Sequence, residues 1–171
     1  TWQWGADRGK GVNLVEIKDE MKEYGYDYVW ETSGKQLALK NYCDYCKYLD
    51  NKDMLDDFRD FVESAGANYN TPDRNTDNAD PWPFAEEDYV DILTGDKIIE
   101  RIKRRPDDQP FFIFGSFCSP HKPYDPPKRY LDMVEYKEED DFILGENDNI
   151  TEEDKKRLYR QRKAARAMIR L

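Results

Sequence analysis

The sequence predicts an α/β fold, a partial parallel-type sheet with helices on its faces. The main observation is an apolar run over residues 111–117 without polar alternation, which is typical of a strand covered on both faces. Helically spaced apolar residues over 86–105 precede this run, and Pro106 ends that helix. A helix followed by a buried strand is the order of β/α alternation. Alternating aromatic residues over 26–30 predict a second strand.

Capping residues predict a helix near the start of the chain and another further on. Asn13 with Glu16 three residues later forms a capping-box pattern, and Gly25 closes the helix that follows. An apolar stripe over residues 54–62 predicts the next helix, which ends at Gly66.

The other stretches complete this outline. Residues 67–83 are rich in Asn, Asp, Thr and Pro and predict a long loop, and residues 135–148 form an acidic, solvated segment. Thr151 with Asp154 caps a last helix that continues to Leu171. We find no internal boundary, so residues 1–171 are interpreted as a single fragment of one domain.

Composition narrows the classes of partner. The chain has 171 residues and a net charge of −10, which argues against nucleic acid and anionic membrane surfaces as partners. No apolar run approaches the roughly 18–20 residues of a membrane span. A hydrophobic content of 38% and a mean hydropathy of −1.04 are low for a self-sufficient domain, whereas 14% aromatic residues argue against disorder. Together these values favour a piece of something larger.

The main candidate site follows the apolar run. Prolines at 120, 123, 126 and 127 predict a stiff loop, and it carries His121, the only histidine. In open α/β sheets ligands bind outside the carboxyl ends of the strands, where this loop would lie. His121 is therefore a candidate to bind an oxyanion or to protonate a leaving oxygen, and Lys122 would add positive charge for substrate binding. The alternative is a histidine with a purely structural hydrogen bond.

The cysteines allow a second interpretation. Cys43-x-x-Cys46 and Cys118-x-x-His121 both have metal-ligand spacing, and together they would make a tetrahedral zinc set. A redox pair at Cys43 and Cys46 is a further alternative, although residues 40–42 do not predict the preceding strand such sites use. Unrelated free cysteines near a core are the simplest alternative.

Within residues 109–133 (QPFFIFGSFCSPHKPYDPPKRYLDM), residues 111–133 carry a family resemblance. They resemble the histidine segment of the sulfatases, in the alkaline-phosphatase-like superfamily, and residues 26–31 and 89–105 resemble flanking segments. The resemblance implies a sulfuric-ester hydrolase acting on a sulfated small molecule or glycan, with His121 contacting the sulfate group. It also implies a formylglycine nucleophile, a calcium ion in the full-length enzyme and export to the periplasm or outside the cell.

Other elements of the sulfatase pattern have no match in this chain. The C-x-[PA]-x-R nucleophile motif and the Asp-rich metal ligands are missing, and Gly34-Lys35 continues as Gln36-Leu37 instead of the family's G-K-W-H. We therefore expect this chain alone to be inactive and to bind no metal, with the rest of its own catalytic domain as a partner. A phosphodiesterase or phosphonate hydrolase of the same superfamily, and a non-enzymatic zinc-stabilised module, are the alternatives.

Overall fold

The computed structural model describes residues 11–67, 79–135 and 150–171. Within these ranges the regular secondary structure is helical, apart from one β-bridge. In chain order the elements are α1 (Leu14–Ile17), a 3-10 helix (Lys18–Tyr24), α2 (Gly34–Leu37), α3 (Asp44–Asp50), α4 (Leu55–Val62), a π-helical turn (Glu63–Ala67), a 3-10 turn (Glu86–Asp88), α5 (Val90–Lys103), α6 (Lys128–Asp132) and α7 (Glu152–Met168). The β structure in the described residues is an isolated parallel bridge between Asn13 and Tyr42.

The predicted α/β fold is therefore wrong for the part of the chain that is described. Neither residues 111–117 nor residues 26–30 form a strand. A strand is stabilised by ladder hydrogen bonds to a neighbouring strand, and the described residues contain no such neighbour. The apolar run is consequently not covered: Phe112 is 77% exposed and Phe114 is 71% exposed.

Residues 111–117 instead run back along α5, antiparallel to the helix. The Arg105 guanidinium lies over the Phe111 ring, 5.3 Å from its centroid. Further along, a Cβ at Gly115 would stand 2.5 Å from Ile98 Cδ1, so a larger residue here would require the end of the Ile98 side chain to shift. The segment thus packs on one side against a helix and leaves its other side open.

The core lies between α3, α4 and the start of α5, and it centres on Trp82. The Trp82 ring meets Phe84, Tyr89 and Phe61 edge-on, with centroid separations of 4.9, 5.3 and 5.8 Å. Phe58 of α4 is fully buried and lies 6.1 Å from Trp82. Edge-to-face aromatic pairs contribute beyond the area that they bury. This cluster fixes the start of α5, on which the candidate site is built.

The helix predictions near the start of the chain are confirmed in part, because the helices are present but the Asn13–Glu16 capping box is not formed. Asn13 caps α1 by accepting a hydrogen bond from the Val15 amide, but the α-helix lasts one turn before it becomes a 3-10 helix. Gly25 ends that 3-10 helix with φ of 87°, a left-handed conformation that favours glycine. The predicted helix over 54–62 is α4, and a π-helical turn follows it.

The later helices are confirmed in part. The Thr151–Asp154 capping box is present at the start of α7. The predicted helix over 86–105 divides into a 3-10 turn and α5, and the far end of its predicted apolar face is open, with Ile99 50% exposed. Most of the predicted 67–83 loop and nearly all of the acidic 135–148 segment lie outside the described residues.

Candidate functional site

His121 lies on the surface, in a loop that we call the proline-rich loop (residues 118–127). Its backbone amide donates to the Cys118 carbonyl at 3.0 Å and closes a tight turn. The peptide bonds before Pro120 and Pro123, on either side of His121, are both cis. The ring Nδ1 stands 2.8 Å from the Lys122 carbonyl oxygen. The imidazole is thus exposed, and one of its nitrogens is tied to the loop itself.

This contact assigns a different role to each ring nitrogen of His121. A carbonyl oxygen only accepts hydrogen bonds, so Nδ1 carries the hydrogen in the contact with Lys122. Nε2 is then the nitrogen left to accept a proton when the ring is neutral, or to donate one when the ring is charged. Within the described part of the chain, no hydrogen bond involves Nε2. The loop therefore presents an imidazole nitrogen that has no hydrogen-bond partner among the described residues.

Lys122 follows His121 and is half-buried. Its Nζ stands 5.8 Å from the centroid of the Tyr124 ring, which places the ammonium over an aromatic face. The ammonium and the imidazole are therefore carried by the same loop.

Asp91 fixes the beginning of the proline-rich loop. It belongs to the first turn of α5, is 4% exposed, and accepts hydrogen bonds from the backbone amides of Cys118 (2.6 Å) and Ser119 (2.9 Å). The Ser119 hydroxyl also donates to this carboxylate. Hydrogen bonds to an ionised group are the strong ones. The loop therefore starts from a fixed point on α5.

Lys35 and Asp125 fix its later part. Both are buried, at 3% and 2% exposure, and they form an ion pair although they belong to distant parts of the chain. The Lys35 ammonium also donates to the Tyr89 hydroxyl at 3.0 Å and to the Pro123 carbonyl at 3.2 Å. This set satisfies all the donors of an ammonium group. Lys35 thus ties α2, the start of α5 and the loop together.

Burial shifts the titration of this network. It raises the pKa of Asp125 to about 6, against the opposing effect of Lys35. Burial, with Asp125 adding to the effect, also raises the pKa of Tyr89. One carboxylate oxygen of Asp125, Oδ2, is buried without a hydrogen-bond partner among the described residues. The network therefore holds the loop but leaves one polar atom unsatisfied.

The structure brings only some of the candidate zinc ligands together. The Sγ atoms of Cys43 and Cys46 lie 3.4 Å apart in the core, whereas His121 is exposed on its loop. Cys118 is half-buried beside Gly34, and burial raises the pKa of its thiol to about 11. Across residues 11–67, 79–135 and 150–171, no three His, Cys, Asp or Glu side chains are arranged to hold a metal ion.

The sequence interpretation missed the residues that hold the loop. A signal for Asp91 existed, since a carboxylate stands between Val90 and Ile92 on a helix with an apolar face. Lys35 had no such signal, because its partner Asp125 lies 90 residues away along the chain.

In the described ranges, no helix has the length and apolar character needed to cross a bilayer.

Comparison with known proteins identifies one similarity that bears on function. The chain is 37% identical over 76 residues to a curated arylsulfatase from Clostridium perfringens (strain 13 / Type A). The match covers 43% of this chain and 15% of that arylsulfatase, so the chain spans only a small part of its relative. No family model matches the chain, and no solved structure matches it. The chain is therefore similar to part of an arylsulfatase.

Proposed function

We propose that this chain is part of a sulfuric-ester hydrolase and that its proline-rich loop lines the pocket for the sulfate group. The observation that carries the proposal is the 37% identity to part of an arylsulfatase. The geometry supports it, because the loop exposes the His121 imidazole with Nε2 open and is anchored beneath by Asp91 and Lys35. A sulfated small molecule or glycan is the proposed substrate class.

His121 acts as a hydrogen-bond or proton donor in this proposal. Hydrolysis of a sulfate ester leaves negative charge on the departing oxygen, and a positioned imidazolium lowers that cost by donating a hydrogen bond or a proton. Nε2 is the donating atom, because Nδ1 is held by the Lys122 carbonyl. The Lys122 ammonium adds positive charge near the sulfate oxygens. Both residues belong to one fixed loop, which reduces the ordering needed when substrate binds.

In this proposal the nucleophile and the metal ion belong to parts of the full-length enzyme outside this chain. The resemblance implies formylglycine and calcium in the full-length enzyme, and the described residues do not assemble a metal site. We therefore assign no catalytic step to either group within this chain. We extend the proposal to a periplasmic or secreted full-length protein, on the strength of the sulfatase resemblance.

The test uses the fact that His121 is the single histidine of the chain. Its imidazole signals in a proton–carbon NMR spectrum need no assignment by mutation. We expect 4-nitrophenyl sulfate to shift these signals saturably, whereas 4-nitrophenol at the same concentrations leaves them in place. Equilibrium dialysis should show weaker binding of the sulfate ester to His121→Gln than to the unmodified chain.

Two outcomes would contradict the proposal. One is an imidazole signal that does not respond to the sulfate ester, or that responds equally to sodium chloride at matched ionic strength. The other is metal-dependent turnover of the ester by this chain alone, which would place the nucleophile inside it. A matched variant, Lys128→Ala, changes an exposed lysine next to the loop and should bind the ester as the unmodified chain does.

A further inference from the structure

The thiols of Cys43 and Cys46 lie close together in the core. Their Sγ atoms lie 3.4 Å apart, and both residues are 0% exposed. Cys43 is the N-cap of α3 and Cys46 lies in its first turn. Cys43 has an extended backbone (φ −129°, ψ 179°) and stands just before the helix, so the two sulfur atoms approach each other from the loop and from the first turn. Closing them to a disulfide requires rotation of the side chains and a local adjustment of the backbone.

The two thiols have different environments. The Ser33 hydroxyl donates to Cys43 Sγ at 3.6 Å, whereas Cys46 Sγ lies 3.4 Å from the Asn41 carbonyl, an acceptor. The hydrogen bond with Cys46 lowers the pKa of Cys43, and the same contact raises the pKa of Cys46. Cys43 is therefore the sulfur suited to attack as a thiolate, and Cys46 is the sulfur that retains its proton.

The backbone before Cys43 is held in place although residues 40–42 do not form a strand. The residues before Cys43 contain no strand, but Tyr42 forms a parallel bridge with Asn13, in which the Leu14 amide donates to the Tyr42 carbonyl at 2.7 Å. The pair thus follows a fixed extended residue and opens a helix. Its backbone is held on both sides.

We propose that Cys43 and Cys46 are a redox-active pair that forms an intramolecular disulfide with a small-molecule disulfide as oxidant. Cys43 thiolate attacks one sulfur of the oxidant, forming a mixed disulfide and releasing the first thiolate. Cys46 then attacks Cys43 Sγ, the bond to the oxidant breaks, and the second thiolate leaves. Two protein thiols lose two electrons in total, the oxidant gains them, and the protons released by the cysteines go to the two departing thiolates.

Burial sets the rate of this exchange, because an external disulfide reaches Cys43 only when α3 or the Ser33 segment opens locally. The equilibrium position does not depend on that access. An intramolecular pair also has a high effective concentration, which favours the closed disulfide over two mixed disulfides. The experiment is therefore an equilibrium one.

The full chain is incubated to equilibrium in buffers of oxidised and reduced glutathione, quenched with acid, alkylated and digested with trypsin. Cleavage after Lys40 and Lys47 leaves both cysteines in one peptide, residues 41–47. We expect this peptide to lose about 2 Da and to resist alkylation, with half conversion at a defined glutathione ratio. Cys118→Ser should behave in the same way.

Cys46→Ser provides the decisive contrast. In this variant Cys43 should stop at the mixed disulfide, so the 41–47 peptide carries one glutathione. The proposal is overturned if residues 41–47 remain an alkylatable dithiol at the most oxidising ratio, or if the peptide is found linked to the one that contains Cys118. Urea at a sub-denaturing concentration should raise the rate and leave the half-conversion ratio unchanged.

Discussion

Two adjacent regions, the apolar run over 111–117 and the proline-rich loop over 118–127, contrast sharply. The run is rich in phenylalanine, yet Phe112 and Phe114 are more than two-thirds exposed. The loop is rich in proline and polar residues, yet its carboxylate Asp125 is 2% exposed. Composition alone would assign burial the other way round.

The difference in burial is explained by the contacts that each segment can make, not by the hydrophobicity of its residues. The loop has partners for its polar groups, since Asp91 receives its amides and Lys35 reaches its carbonyl and its carboxylate. Burial of polar groups is tolerated when such bonds are made. Among the described residues, the apolar run packs against α5 and is largely exposed on its other side. Burial in this molecule therefore follows the available contacts.

The largest effect is expected at the ion pair. Replacing Lys35 with Met leaves the Asp125 carboxyl buried without its cation, and we expect a loss of about 3–5 kcal/mol in the free energy of unfolding. Urea denaturation measures it. The double variant Lys35→Met, Asp125→Asn should recover part of the loss. An unchanged urea midpoint in the single variant would show that the pair does not hold the loop.

A smaller loss is expected at Asp91. Asp91→Ala leaves the Cys118 and Ser119 amides without their acceptor, at a cost of about 2–3 kcal/mol. Asp91→Asn keeps one carbonyl oxygen as an acceptor and should lose less. Equal stability of the alanine variant and the unmodified chain, measured by thermal unfolding, would contradict this role.

The partly buried carboxyl group of Glu31 should make the stability of the fold depend on pH. Burial raises its pKa from 4.5 to about 7, so the folded state holds this proton more tightly than the unfolded state. Stability should therefore fall as pH rises from about 4.5 through about 7. Because the residue is only half-buried, we expect Glu31→Gln to gain about 1–2 kcal/mol at pH 8 and nothing at pH 4. A gain equal at both pH values, or shared by the exposed Glu20→Gln, would refute this assignment.

The smallest effect is expected in the apolar run. Phe112→Ser should change the free energy of unfolding by no more than about 0.5 kcal/mol, because the ring is exposed. The matched control, Phe58→Ala, removes a fully buried ring and should cost about 3–5 kcal/mol. Similar losses in the two variants would mean that the run is covered after all.

Local patterns predicted local structure in this chain. The Thr151–Asp154 capping box and the Gly25 helix end need only neighbouring residues, and both are present. The strand over 111–117 was predicted from its own composition, but a strand requires a partner that a local pattern cannot specify. The error follows from that dependence.

The candidate site likewise has one part that local sequence patterns indicate and another part that depends on long-range contacts. His121 and Lys122 were singled out from their own loop, and their role in binding sulfate stays a prediction. The residues beneath them depend on long-range contacts, such as Asp91 with Ser119, 28 residues apart, and Lys35 with Asp125. Nothing in a single sequence pairs such positions, because each partner taken alone is an ordinary surface residue type.

Native-state amide hydrogen exchange tests the central claim, that buried charged side chains hold the proline-rich loop more firmly than apolar residues hold the run before it. We predict that the Cys118 and Ser119 amides, which donate to Asp91, exchange roughly a hundredfold more slowly than those of Phe112 and Phe114, relative to their unfolded rates. Equal protection of the two pairs, or slower exchange in the run, would contradict the account.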